Sequence, residues 1–353
     1  MTRSLCLISV LLASAASAEA QGDPAGAPTT SREDEIAGEG ASQGRGETLS
    51  PPPLAEGEPP PGAQPEAAPQ KKGPPWAGPQ EIDFSVETRL TLIAPTDLRE
   101  GRARLGVGRA ALKVGASRFL GPVKLSLSGG FERSRYDFQE PDDLPSDFSP
   151  GRGEPFDELS TLRLQLGALS FLTRTWSASL FVSARAGFET GADLERSISL
   201  ALFLSAGYSF SREFTLTFGM GVLTRIEDDA LVIPAIGFRW TPTEWLRVEA
   251  RGPQLLVSAE FEEWSATFLL GFDNRQFRLD DRRSALAKHV VEDQRVSASL
   301  ELAWRPSEWL VLGATGGVAL YQELRIRDSR GRSVETLRAD PTPFAGLRLE
   351  LVF

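Results

Sequence analysis

From Ile82 onward, apolar and polar residues alternate with a period of two. Ile82, Phe84, Val86, Leu90 and Leu92 alternate with Asp83, Ser85, Glu87, Arg89 and Thr91. The same rhythm runs through Trp176, Ala178, Leu180, Val182, Ala184, Ala186 and Phe188, through Ile198 to Phe210, and through Phe214, Leu216, Phe218, Met220 and Val222. A β-strand sends successive side chains to opposite faces, so each stretch has one apolar face and one small or polar face. The helical period of 3.6 fits none of them. Fourteen such segments are predicted, near 82–92, 102–117, 123–136, 159–171, 176–190, 197–210, 213–225, 231–240, 245–251, 253–261, 263–279, 295–304, 309–326 and 343–353. The alternation is weakest in the second, eighth and ninth.

The connections carry a second pattern. Links around Leu120-Gly121-Pro122, Thr173-Arg174-Thr175, Ser211-Arg212, Thr241-Pro242-Thr243-Glu244, Glu262-Glu263 and Pro306-Ser307-Glu308 are short. The intervening links are mostly longer, with Asp137 to Phe156, Asp280 to Gln294 and Asp328 to Pro341 the longest. Tight turns on one side and large loops on the other are the plan of a bacterial outer-membrane barrel. Gly252 is the exception, a tight link on the long-loop side.

Tryptophan placement agrees with that plan. Trp176, Trp245, Trp264 and Trp309 open segments just after short turns, Phe214 takes the same place, and Trp240 and Trp304 close segments just before such turns. An indole prefers the membrane–water boundary, where its ring is half buried and its N–H stays wet, so these residues predict a girdle at one rim. The predicted fold is therefore all-β: a transmembrane antiparallel up-and-down barrel of about 14 strands, or 12 if the pair around Gly252 is no true hairpin. At the C-terminus Leu347, Leu349, Leu351 and Phe353 alternate with Arg348, Glu350 and Val352. This resembles the terminal strand of outer-membrane barrels, and the resemblance implies that Phe353 is the insertion signal read by the barrel-insertion machinery.

Composition narrows the setting. The formal net charge of −10 argues against general nucleic-acid affinity. Beyond the N-terminus no apolar run reaches the ~18 residues of a membrane helix, so a spanning structure must be a closed barrel. Residues 1–20 read as an export signal: Arg3, the apolar stretch Leu5 to Leu12, and a small-residue cleavage site at Ala16-Ser17-Ala18 or Ala18-Glu19-Ala20. Residues 21–80 carry Pro51-Pro52-Pro53, Pro59-Pro60-Pro61 and Pro74-Pro75 among Gly, Ala, Glu and Gln, and read as a disordered periplasmic linker ahead of a barrel over 81–353. The one cysteine, Cys6, falls in the export signal, so no disulfide or thiolate metal site is expected. A soluble β-sandwich also alternates, but the Arg- and Glu-rich face is costly inside a sandwich.

The stretch Pro234, Gly237-Phe238-Arg239-Trp240, Pro242, Trp245 and Gly252-Pro253 resembles a bacterial outer-membrane β-barrel family described only as a domain of unknown function. There a strand, a Pro-containing turn with Trp, a short strand and a second Pro recur in this order. The resemblance implies a barrel over roughly residues 82–353 and brings no established active-site residues with it.

The polar face supplies the candidate chemistry. Glu87, Arg89, Arg163, Arg185, Glu189, Arg225, Arg247, Glu249, Glu301, Arg325, Arg348 and Glu350 are predicted to face the lumen, with Arg251, Glu260 and Arg295 beside them. They either set the preference of a water-filled channel or plug a narrow lumen with ion pairs. Acidic residues from Asp137 to Glu158 and Glu227-Asp228-Asp229 lie in loops without Ca-loop spacing and read as solvated. Gly106-Val107-Gly108 reads as a strand bend. His289, the only histidine, sits beside Lys288 in a predicted loop with no serine or acid placed near it. No catalytic residue, metal site or cofactor is expected. The function read from the sequence is a porin-like channel or transporter for small solutes, with outer-membrane lipid and the insertion machinery as partners. A closed structural or adhesion barrel is the alternative, and an outer-membrane lipid enzyme ranks last.

Overall fold

The chain is described by a computed structural model over residues 82–99, 102–146, 148, 154–282 and 286–353. The export signal, the Pro-rich segment and Trp76 lie outside the described residues. The alternating segments form fifteen antiparallel strands: β1 (Asp83–Asp97), β2 (Arg104–Leu120), β3 (Val123–Gln139), β4 (Glu158–Phe171), β5 (Trp176–Glu189), β6 (Ile198–Ser209), β7 (Phe214–Arg225) and β8 (Asp228–Thr243). The second half adds β9 (Leu246–Arg251), β10 (Gln254–Glu260), β11 (Trp264–Arg278), β12 (Val290–Ser307), β13 (Leu310–Arg327), β14 (Ser333–Ala339) and β15 (Thr342–Val352). From β1 to β14 consecutive strands ladder to one another, and β1 closes the sheet on β15 from Ser85↔Val352 to Ile93↔Phe344.

Fifteen strands fill fourteen positions. β13 carries β15 along Leu310–Ala319 and β14 along Gln322–Arg327, both on the edge opposite β12. β14 and β15 are thus one wall strand interrupted at Asp340-Pro341, where a proline supplies no ladder N–H. Half of the segment from Asp328 to Pro341, read from the sequence as a loop, is this strand. β12 likewise starts at Val290, inside the predicted loop 280–294. Gly252 makes a true hairpin: its φ of 60° suits a residue without Cβ, and β9 and β10 ladder from Gln254↔Arg251 to Ala259↔Leu246.

Outside, the wall is greasy. Leu92, Leu164, Leu204, Met220, Ile236 and Leu347 each expose more than half of their surface, among many similar residues on every side of the barrel. A closed barrel satisfies its own backbone and leaves such a belt for hydrocarbon to cover. No helix among the described residues is long and apolar enough to cross a membrane. Trp176, Trp240, Trp245, Trp264, Trp304 and Trp309 all stand exposed at the short-turn end. Trp264 and Trp304 face each other in register and stack with ring centroids 5.8 Å apart, and Phe214 is in register with Trp240. Phe353 is exposed and exchanges backbone hydrogen bonds with Phe84, its N–H donating at 2.8 Å and its carbonyl accepting at 3.1 Å.

Toward the long-loop end this polarity reverses. On β3, Phe131 is the last exposed apolar residue; beyond it Arg133, Arg135 and Asp137 face out while Tyr136 and Phe138 are buried. Leu98, Leu105, Tyr136, Phe138, Phe148, Phe156, Phe277, Leu279, Leu324, Ile326 and Leu337 pack into one core inside this end. Phe156 meets Tyr136 and Phe138 edge-on at 5.2 and 5.3 Å. Burial of that many large side chains is a protein core in the ordinary sense, and it fills the barrel there.

Candidate functional site

The lumen has two halves of different character. Beneath the apolar core lies a layer of buried charge. Arg109 on β2 donates to Asp293 on β12 at 2.5 Å, and Asp293 also accepts from Tyr136 Oη at 2.8 Å and Gln322 Nε2 at 3.0 Å. Arg275 on β11 reaches Glu132 on β3 at 2.7 Å. These pairs join strands that are not neighbours in the ring, so the side chains reach across the interior. Charges so removed from water persist only when paired and hydrogen-bonded.

β11 contributes to the same closure with its backbone. Its upper part leaves β10 after Gly271 and bends across to β5, where Arg278 pairs with Phe188 in parallel register. Gly187 makes the approach: a Cβ there would lie 1.9 Å from the Gln276 carbonyl oxygen. Arg185 donates to the Asn274 carbonyl at 3.0 Å, and Glu189 accepts the Asp280 N–H at 2.9 Å. The tip joining β7 and β8 is fastened over this crossing. Ile226 N–H donates to Gln276 Oε1 at 3.1 Å, and Glu227 pairs with Arg278.

The short-turn half is emptier. A cavity of about 270 Å³ lies on the β4–β9 side, lined by hydroxyls of Ser126, Ser177, Ser179, Ser205, Thr215 and Thr217, by Phe181 and Phe203, and by Arg239, Glu249 and Arg251. Glu249 is buried between two guanidiniums, with Arg239 at 2.5 Å and Arg251 on its other oxygen. Opposite, Glu87, Arg89, Glu301, Arg348 and Glu350 form one network across β1, β12 and β15. Arg348 reaches Glu301 at 2.7 Å, Glu87 at 3.7 Å and also Glu350, and Arg89 reaches Glu87 at 3.0 Å.

Of the other residues read as lumen-facing, Arg185 and Glu189 serve the β5–β11 contact, Arg247 pairs with Glu260 at 2.7 Å on the short hairpin, and Arg163 and Arg225 are half-buried on β4 and β7. Arg325 stands differently. A bulge in β13 at Leu320 shifts the register, so the inward core residues beyond it are Gln322, Leu324 and Ile326. Arg325 shares the other face with Glu323 and Arg327 and pairs with Glu323. Arg109, Glu132, Tyr136, Arg275 and Asp293, the heart of the buried charge layer, were missed, as was Asp273 at its edge. Arg109 lies on the weakly alternating β2 and Asp293 in a stretch read as loop, so the signal was the lone Arg or Asp itself and no pattern around it.

The remaining candidates are quiet. Asp157 pairs with Arg135 at 3.5 Å and Glu158 with Arg133, outward arginines of β3. Among the described residues no group of three or more His, Cys, Asp or Glu gathers as a metal site. His289 holds the Ala287 carbonyl with Nδ1 at 3.0 Å. Opposite Gly106 the β1–β2 ladder slips between Ile93 and Thr96, and Pro95 packs there, so the irregularity read at Gly106 is a bulge of the facing strand.

No family model and no curated protein matches the chain. Among solved structures it is similar to an outer membrane channel from Pseudomonas putida F1, at 11% identity and TM-score 0.43 over 78% of this chain and 97% of that one. It is also similar to a Pseudomonas aeruginosa FadL homologue, at 10% identity and TM-score 0.39 over 78% and 90%. The Pseudomonas putida toluene transporter TodX gives 10% identity and TM-score 0.38 over the same shares. These likenesses are loose, and the barrel assignment rests on the closed ladder itself. The stretch Pro234 to Pro253 takes in most of β8, all of β9 and the turn at Gly252.

Proposed function

We propose that the chain is an outer-membrane barrel of a Gram-negative bacterium that gives small solutes a route through its wall or lumen. The observation that carries this reading is the cavity of about 270 Å³, lined by hydroxyls, two phenyl rings and paired Arg and Glu, inside a wall whose outside is fit only for lipid. A barrel serving only as an anchor gains nothing from leaving that half unfilled, since filled interiors are the more stable. In this reading outer-membrane lipid covers the leucine belt, and the rim of Trp176, Phe214, Trp240, Trp245, Trp264, Trp304 and Trp309 sits at the headgroups. The end bearing those residues, where β1 begins, faces the periplasm. Phe353, at the end of the closing strand, is the residue offered to the insertion machinery. The test is conductance of the purified, heat-modifiable barrel in a planar bilayer: discrete ion-conducting steps are expected, and a silent bilayer at high protein load would count against a passage.

The filled long-loop end favours a second reading, a closed structural or adhesion barrel. It expects no conductance, together with loop deletions that alter surface binding but not folding. A lipid enzyme has least support, because the ring of His289 is engaged by a backbone carbonyl.

A further inference from the structure

The barrel wall is incomplete at one place. β9 has six residues and β10 seven, whereas their neighbours β8 and β11 have sixteen and fifteen. A spanning strand needs about 9–11 residues. Six residues rise about 20 Å along the strand, and about 15 Å once tilted, against a hydrocarbon band of about 25 Å. Trp245 and Trp264 hold the base of the hairpin at the short-turn rim, so its tip at Gly252-Pro253 stops inside the apolar band. The last rung between β8 and β9 is Gly237↔Arg251, and that between β10 and β11 is Gln254↔Gly271. Above them β8 from Asp228 to Ile236 ladders to β7 alone, and β11 turns inward to β5. Pro234, which has no N–H to leave unpaired, falls in this one-sided half of β8. The fastening of Glu227 to Arg278 closes the top. The result is a framed gap bounded by β8, the hairpin tip, β11 and that ion pair.

The gap meets the cavity. Ile236 and Gly252, on its frame, also line the cavity that contains Phe181 and Phe203. Immediately inside, Phe181, Ala201, Phe203 and Ile233 form an apolar patch with Leu223 packed on it. This patch is made of apolar side chains alone. Free strand edges are tolerated at membrane depth only where they line a cavity, and Ala235 and Ile236 of the β8 edge do so here.

We infer that this gap is a lateral window through which small, uncharged apolar molecules pass between the lumen and the hydrocarbon of the membrane. The inference rests on the reading of the barrel as a passage and supplies its route and substrate class: entry past the phenyl rings, exit over Gly252 beneath the latch, with the long-loop end remaining shut.

Two measurements test it. The purified barrel is placed in phosphatidylcholine vesicles carrying a diazirine at mid-acyl chain, and photolabelled residues are mapped by mass spectrometry. The window predicts label on inward-facing Phe203 and Ile233 as well as on outward-facing Leu204 and Ile236; label on the outward pair alone overturns it. In cells with a lipopolysaccharide outer membrane, the full-length protein should speed the initial uptake of radiolabelled naphthalene. Lengthening β9 and β10 by about four residues each, to reach spanning length with faces preserved, should abolish both the Phe203 label and that uptake. Undiminished naphthalene uptake by a folded lengthened barrel overturns the window while leaving a passage standing. Ion conductance without naphthalene uptake does the same, whereas loss of both in the native barrel removes the passage itself. Should the lengthened hairpin fail to fold, the labelling of the native barrel decides alone.

Discussion

Arg109 on β2 and Asp293 on β12, 184 residues apart in sequence, meet at 2.5 Å inside the barrel with both side chains almost wholly buried. The pair ties together two strands that are not neighbours in the wall, and Tyr136 and Gln322 saturate the carboxylate from two further strands. Removing one partner leaves the other charge buried and unpaired. Arg109→Ala or Asp293→Asn is therefore expected to cost about 3–5 kcal/mol, read from urea unfolding of the barrel in lipid. The double variant should cost less than the sum of the two single ones. Strict additivity would mean that the two groups do not depend on each other.

Gly187 is the second point of closure. With the Gln276 carbonyl 1.9 Å from where a Cβ would sit, Gly187→Ala must push β11 away from β5. The expected cost is about 1–3 kcal/mol, as for overpacking elsewhere. It should be accompanied by loss of hydrogen-exchange protection at Ile226, whose N–H depends on Gln276. Gly316, with open space where its Cβ would lie, is the control: Gly316→Ala should stay within about 0.5 kcal/mol of the native barrel. Equal effects at both positions would sink the closure argument.

The wall was legible in the sequence because lipid imposes one rule on every residue that faces it. Leu200, Leu202 and Leu204, or Leu347 and Leu349, must all point outward, and a period of two follows. The filled end obeys a different rule. There Tyr136 and Phe138 face in and Arg133 and Arg135 face out, so extending the membrane pattern along β3 assigns the wrong environment to each. The bulge at Leu320 shifts the parity of β13 and carries Arg325 off the face on which simple alternation puts it. The β5–β11 contact leaves no trace in either strand's alternation, since it depends on where one glycine meets one carbonyl across the ring. The short hairpin was visible as two brief segments around Gly252, but its meaning depends on the length of the strands beside it.

The stacked pair of Trp264 and Trp304 lends itself to a depth measurement. With ring planes 18° apart at the short-turn rim, both indoles should lie at headgroup level. Lipids brominated near the carbonyl should quench their fluorescence more than lipids brominated near the chain end. Trp304→Ala should cost about 0.5–1.5 kcal/mol beyond the loss of buried area. Stronger quenching from the chain ends would place this rim within the hydrocarbon and remove the girdle.

At the opposite end, the turn between β13 and β14 is held by Asp328. Its carboxylate accepts the backbone N–H groups of Arg332 and Arg330 at 2.9 Å each and pairs with the Arg332 guanidinium at 2.8 Å. These bonds favour the charged form, the Arg332 N–H foremost, and hold the group below its ordinary value of 3.8. A depressed folded-state value means that the contribution of Asp328 is fully present above the ordinary aspartate range and is lost as pH falls through the depressed value. The Gly331 N–H, which donates to the Asp328 carbonyl at 2.9 Å, is a reporter within the same turn. Followed by NMR in micelles, its chemical shift should titrate with a midpoint below 3.8 in the native chain and lose that transition in Asp328→Asn. A midpoint at or above the ordinary value would mean that the turn does not hold the carboxylate in solution.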